Sequence, residues 1–264
     1  MKPSLLSVSG LLGLALTAST TDAYAASPVY SADAPRPHGG SARSRYESSQ
    51  HFALELRFSP YRPQIDTEPG LTSKPYETTF GTMPRLLFGG EFDWQALRIP
   101  HFGTVGPGLG VGYTNMSETA KLLRDGTPSG DETSLDLWSF YTVAVLRVDV
   151  LWREFNIPFV PYAKAGLGLG LWQAGNTGGT AVAKVGQGTV EGKGYSFGTQ
   201  LAVGMAFALD VLDRSASRSL DASVGINNTY VYGELYASTL NGIGQDHALR
   251  VGANSWTAGL AFEF

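Results

Sequence analysis

Eight stretches of this chain alternate apolar and small or polar side chains with a period of two, and a polar, Gly- or Pro-rich connection separates each from the next. In a strand, successive side chains point to opposite faces, so a period of two reads as a ribbon with one apolar and one polar face. The last stretch shows it most plainly. Trp256, Ala258, Leu260, Phe262 and Phe264 share one face, and Ser255, Thr257, Gly259, Ala261 and Glu263 share the other.

The first stretch carries Phe52, Leu54, Leu56 and Phe58 against Ala53, Glu55 and Arg57. The second sets Leu86, Phe88, Phe92 and Trp94 against Glu91, Asp93 and Gln95. In the third, Val105, Leu109, Val111 and Tyr113 oppose four glycines, Gly106, Gly108, Gly110 and Gly112. The fourth, Leu135 to Trp152, places Trp138, Phe140, Ala144 and Leu146 opposite Arg147 and Asp149. A buried helix competes for so long an apolar run, but Val, the aromatics and the charges at alternate places favour a strand. Phe159 to Leu171 and Tyr195 to Leu209 supply the fifth and sixth stretches, with Lys164 on the polar face of the fifth. Leu220, Ala222, Val224, Ile226, Tyr230 and Tyr232 define a seventh, with Asp221 on its opposite face, and Leu249 to Phe264 an eighth.

The connections alternate long, short, long, short. The long ones span 59–84, 115–133, 174–193 and 235–248, whereas the chain turns back quickly near Pro100, at 153–158 and at 210–219. With an even number of strands, all long loops fall at one end and both termini at the other. The expected fold is therefore all-β, an eight-stranded antiparallel up-and-down transmembrane β-barrel over residues 51–264. A lipocalin-like barrel would line its interior with the apolar face and expose a heavily charged one. Here the second face is mostly Gly, Ala and Ser with isolated charges, which suits a narrow lumen. Only 16% of residues are charged, 11% are aromatic and 33 are Gly, a composition poor in helix formers and rich in strand and turn formers.

Residues 1–25 read as a secretory signal peptide: Lys2, an apolar run from Leu5 to Ala18, and Ala23-Tyr24-Ala25 before the cleavage point. Residues 26–50, with Pro35, Pro37, Gly39 and Gly40, read as a flexible periplasmic tail. The chain contains no cysteine, so neither a disulfide framework nor an acylated N-terminal Cys is expected. A formal net charge of −4 argues against a nucleic-acid partner, whose phosphates demand a basic face.

With the apolar face toward lipid, Glu55, Arg57, Glu91, Asp93, Arg147, Asp149, Lys164 and Asp221 are predicted to enter the lumen and form ion pairs. Pairing the fourth and fifth strands across their short turn would set Asp149 opposite Lys164. Such pairs either neutralise charge inside a closed barrel or gate a thin water path, and filling is the expected role in a barrel of this size. The five tryptophans, Trp94, Trp138, Trp152, Trp172 and Trp256, are expected in interfacial girdles. His38, His51, His101 and His247 show no metal-ligand spacing. No catalysis, cofactor or metal is expected.

From Phe52 to Phe264 the chain resembles the small eight-stranded outer-membrane barrels of Gram-negative bacteria, the class of the outer membrane protein A transmembrane domain. The signal peptide, strand count, loop asymmetry and terminal aromatic motif carry the resemblance, and a C-terminal periplasmic domain is the missing part. It implies a location in the cell outer membrane with periplasmic termini, contact with outer-membrane lipid including lipopolysaccharide, and insertion by the barrel-assembly machinery. Trp256, Ala258, Leu260, Phe262 and Phe264 would be the C-terminal signal read by that machinery. The role expected is structural or surface interaction through the extracellular loops. The alternative is a narrow, porin-like passive channel for small or apolar solutes.

Overall fold

The computed structural model describes residues 51–121, 127–185, 188–243 and 248–264. The expected signal peptide and tail, together with His38 and His247, lie outside them. Eight antiparallel strands close into a barrel: β1 (Phe52–Tyr61), β2 (Arg85–Trp94), β3 (Gly103–Lys121), β4 (Pro128–Arg147), β5 (Phe159–Asn176), β6 (Lys193–Ala208), β7 (Asn228–Leu240) and β8 (Asn254–Glu263). Each strand pairs with its sequence neighbours, and β8 returns to β1 in the register Ala53↔Glu263 to Phe58↔Ala258. The main chain of Phe264 completes this seam, accepting from the Phe52 amide at 2.9 Å and donating to the Phe52 carbonyl at 3.0 Å. Within the barrel, closure leaves no strand edge, and ladder bonds form between neighbouring strands without help from water.

The alternation sorts side chains as the period of two requires. Phe58, Phe88, Leu109, Phe140, Leu167, Val203, Val231 and Trp256 are exposed on the outer wall, with Leu109 at 63%. Glu55 and Glu91 are 1% exposed on the inner face. A wall apolar outside and charged inside is the inverse of a water-soluble barrel and is the wall that lipid solvates. Strands of ten residues such as β1 and β8 suffice, when tilted, for an apolar band about 25 Å tall. No helix among the described residues is long and apolar enough to cross a membrane; this chain crosses with strands. Trp94, Trp138 and Trp256 face outward as expected, but Trp152 and Trp172 pack against inner clusters at the two ends of the barrel.

The two ends differ from the sequence reading in ways that matter. At the end carrying the long loops, β3 and β4 continue as a paired ribbon to Lys121↔Pro128, taking up most of the expected second loop. Residues 182–185 and 188–191 pair antiparallel as a separate two-stranded sheet. The first loop folds into a short helix, α1 (Pro75–Phe80), with Pro at its first turn. At the opposite end, β4 stops at Arg147 and the chain forms α2 (Val150–Arg153). The expected seventh strand is divided: α3 (Arg214–Val224) occupies its first half and β7 begins only at Asn228. Leu212, Leu220 and Val224 recur at helical spacing, and the short run 220–226 read at period two concealed this.

Candidate functional site

The interior is built in three layers. The central layer is a lattice of charges from β1, β2, β4, β5, β7 and β8. The Arg57 guanidinium donates to Glu55 and Glu91, each at 2.9 Å, and also to Glu234. Lys164 Nζ contacts Glu91 Oε1 at 2.7 Å, Glu55 Oε2 at 2.8 Å and Glu234 Oε2 at 3.3 Å. Arg147 reaches Glu55 and Glu263 at 3.2 Å and Asp93 at 3.4 Å. The three cations are thus each shared among three carboxylates, and all eight groups are buried. Tyrosines complete the shell: Tyr141 donates to Glu91 at 2.7 Å and Tyr230 to Glu263 at 2.9 Å. The faces of Tyr141 and Tyr162 lie 5.7 Å from Arg57 and 5.0 Å from Lys164.

The glycines of β3 and β5 make this filling possible. The Tyr141 ring occupies the place a Cβ on Gly110 would take. Leu240 and Val251 lie against Gly168 and Gly170 in the same way, with Leu240 Cδ2 2.8 Å from the position of a Gly168 Cβ. The space left by the glycines is therefore filled by larger neighbours, as a close-packed interior demands.

Above the lattice, toward the long loops, Tyr61, Tyr76, Met116, Leu135, Leu137, Leu240, Val251 and Ala253 form an apolar plug. Loop residues supply its lid. Tyr76 enters from α1 and meets the Met116 sulfur at 3.1 Å, and Val251 enters from the segment before β8 and accepts at its carbonyl from the Tyr61 hydroxyl. Below the lattice, Trp152, Val160, Tyr162, Ala206, Ala208, Tyr230, Tyr232 and Ala261 form a second plug. A cavity of about 40 Å³ lies between lattice and outer plug, lined among others by Arg57, Ser59, Tyr61, Tyr141, Leu240 and Val251. A space of this size holds a few waters at most.

Of the eight charges expected in the lumen, the structure brings six together: Glu55, Arg57, Glu91, Asp93, Arg147 and Lys164. The other two lie elsewhere. Asp149 sits past the end of β4, 2.9 Å from Arg98 and 3.7 Å from Arg153, so the expected pair with Lys164 does not form. The strands pair Val145 with Lys164, because β4 ends before Asp149. Asp221 belongs to α3 rather than to a strand. Glu234 and Glu263 take their places. Glu263 stands on the inward face of β8, as its alternation indicates. Glu234 was hidden because Tyr230 and Tyr232 were grouped with the outward residues, whereas both point inward and are buried; Val231 and Leu235 carry the outward phase of β7.

Oxygens of Glu55, Glu91 and Asp93 approach one another within 4.8 Å, a spacing suited to a cation. Arg57, Arg147 and Lys164 already contact this trio, so the protein itself provides the positive charge the cluster calls for. His101 Nδ1 lies 2.7 Å from Glu154 at an exposed turn, remote in character from any buried reactive group.

No protein-family model and no curated protein matches this chain. Among solved structures, the outer membrane protein OprG of Pseudomonas aeruginosa is similar over 83% of this chain and 97% of its own, at 11% identity and a TM-score of 0.45. A major outer membrane protein of Thermus thermophilus is similar over 82% and 100%, at 13% identity and a TM-score of 0.41. The attachment invasion locus protein of Yersinia pestis, solved with the heparin analogue sucrose octasulfate, is similar over 81% and 97%, at 11% identity and a TM-score of 0.39.

Proposed function

We propose that this protein is an integral barrel of a Gram-negative outer membrane, with residues 51 and 264 at the periplasmic end, acting through its folded wall and outward loops rather than by transport or catalysis. The observation that carries this reading is the filled lumen. Two apolar plugs enclose a lattice in which each cation is held by three carboxylates. A solute would have to displace both plugs and part the ion pairs of the lattice, and breaking buried pairs of this kind costs several kcal/mol each. What remains available to a partner is the outer end: the β3–β4 ribbon, the paired strands 182–185 and 188–191 with Val182 and Val190 exposed, and the first loop. Outer-membrane lipid, including lipopolysaccharide, is the expected neighbour of the wall, and the barrel-assembly machinery the expected reader of Trp256 to Phe264.

The competing function is a narrow passive channel. Refolded protein in planar bilayers distinguishes the two by single-channel recording across several salts. A silent membrane containing heat-modifiable, folded barrel is the expected result. Stable, salt-dependent openings from the same preparation would overturn the closed-lumen reading.

A further inference from the structure

Most of the β6–β7 connection is a helix, α3, whose apolar residues are left exposed. Along α3, among the side chains described, Ser217 and Asp221, one turn apart, are the half-buried ones. Leu220 and Val224, also one turn apart, are 40% and 63% exposed, and Leu212 just before the helix is 74% exposed. A surface helix of a soluble protein buries its apolar stripe and leaves Ser and Asp outside. Here Leu220 and Val224 are left exposed along with Ser215, Ser219 and Ser223, and isolated helices of eleven residues are marginal in water without such burial.

We propose that the free apolar face of α3 lies in the periplasmic leaflet of the membrane that surrounds the barrel. Continuity with the lipid-facing wall selects this occupant over a protein. The helix leaves the barrel shortly after Phe207, whose ring packs tilted against that of exposed Phe159 with centroids 5.3 Å apart, and rejoins it shortly before outward-facing Val231. The apolar stripe therefore starts and ends beside the lower rim of the apolar belt. At 3.6 residues per turn, Leu220 and Val224 centre about a sixth of a turn from the Ser217–Asp221 face and well over a third of a turn from Ala222, so one side meets the barrel, the strip beside it lipid, and the far side water. A helix lying in the headgroup region buries its apolar stripe without leaving any backbone group unpaired.

The proposal rests on the membrane-barrel reading, and its test separates the two. The natural chain has no cysteine, so single nitroxide labels are introduced in the full chain as Leu220→Cys, Val224→Cys, Ala222→Cys and, on the belt, Val203→Cys. Each variant is refolded into phosphatidylethanolamine/phosphatidylglycerol vesicles and checked by heat-modifiable gel migration. Relaxation by oxygen, which partitions into lipid, is compared with relaxation by a water-soluble nickel chelate. Labels at 203, 220 and 224 should favour oxygen, by about tenfold over the label at 222. If 203 favours oxygen while 220 and 224 match 222, the helix is in water and the proposal falls alone. A label at 220 shielded from both reagents only at high protein-to-lipid ratio would assign the face to a second copy and overturn the proposal as well. If 203 itself is water-exposed in folded protein, the membrane reading fails.

Discussion

Gly110 shows at a single residue how the lumen was closed. Its missing side chain is the seat of the Tyr141 ring, whose hydroxyl then holds Glu91. Gly110→Ala should displace that ring and lower stability by about 1–3 kcal/mol, as overpacking does in other cores. Urea unfolding in vesicles, followed by gel mobility, reads it out. Arg147→Ala should cost more, about 3–5 kcal/mol, because it strips Glu55, Asp93 and Glu263 of a shared cation and leaves buried carboxylates uncompensated; the same unfolding assay checks it, and a midpoint unchanged from the parent would contradict the lattice. Much of this layer was legible in the sequence. Glu55, Arg57, Glu91, Asp93, Arg147 and Lys164 each stand alone among apolar neighbours in a period-two run, and burial against a low-dielectric wall leaves a lone charge only the lumen. Asp149 and Asp221 were misplaced by the same rule, since alternation says which face a residue takes but not where the strand stops.

At the scale of elements, the strands were readable and their ends were not. β3 and β4 run further out than their apolar pattern, held by ladder pairing through Thr, Ser and Glu, residues that by themselves suggest a loop. The first loop was expected to be open surface, yet it is folded by local chemistry. The Asp66 carboxylate accepts from the Tyr76 and Glu77 amides at 2.8 and 3.0 Å, and caps α1 from ten residues upstream. Glu77 in turn is held by Lys74 and Arg62 at 3.3 and 2.9 Å, which draw its carboxyl below the usual range. A depressed carboxyl stabilises the folded loop above its unfolded value and ceases to do so as pH falls through the lowered one. The clamp should therefore hold at neutral pH and slacken in acid. Asp66→Ala should produce at neutral pH the loosened α1 that acid produces in the parent. Amide NMR of the barrel in nanodiscs, titrated downward from pH 7, would show it in Tyr76 and Glu77; signals unmoved by either change would refute the clamp.

Across the whole molecule, the lattice bears on which barrel forms. Sliding a strand by one residue turns its apolar face inward and is forbidden by lipid, but sliding it by two leaves every face correct. The apolar alternation, by which the fold is recognised, cannot tell those arrangements apart. A two-residue slip moves a side chain about 6.8 Å along its strand, far beyond the reach of the contacts that tie Arg57 to Glu234 or Arg147 to Glu263. The charges come from six of the eight strands, including both that meet at the closing seam, so the contacts fix the offsets of those six relative to one another. The charged interior thus works as a combination lock on strand register: lipid admits a whole family of barrels, and the buried ions choose a member.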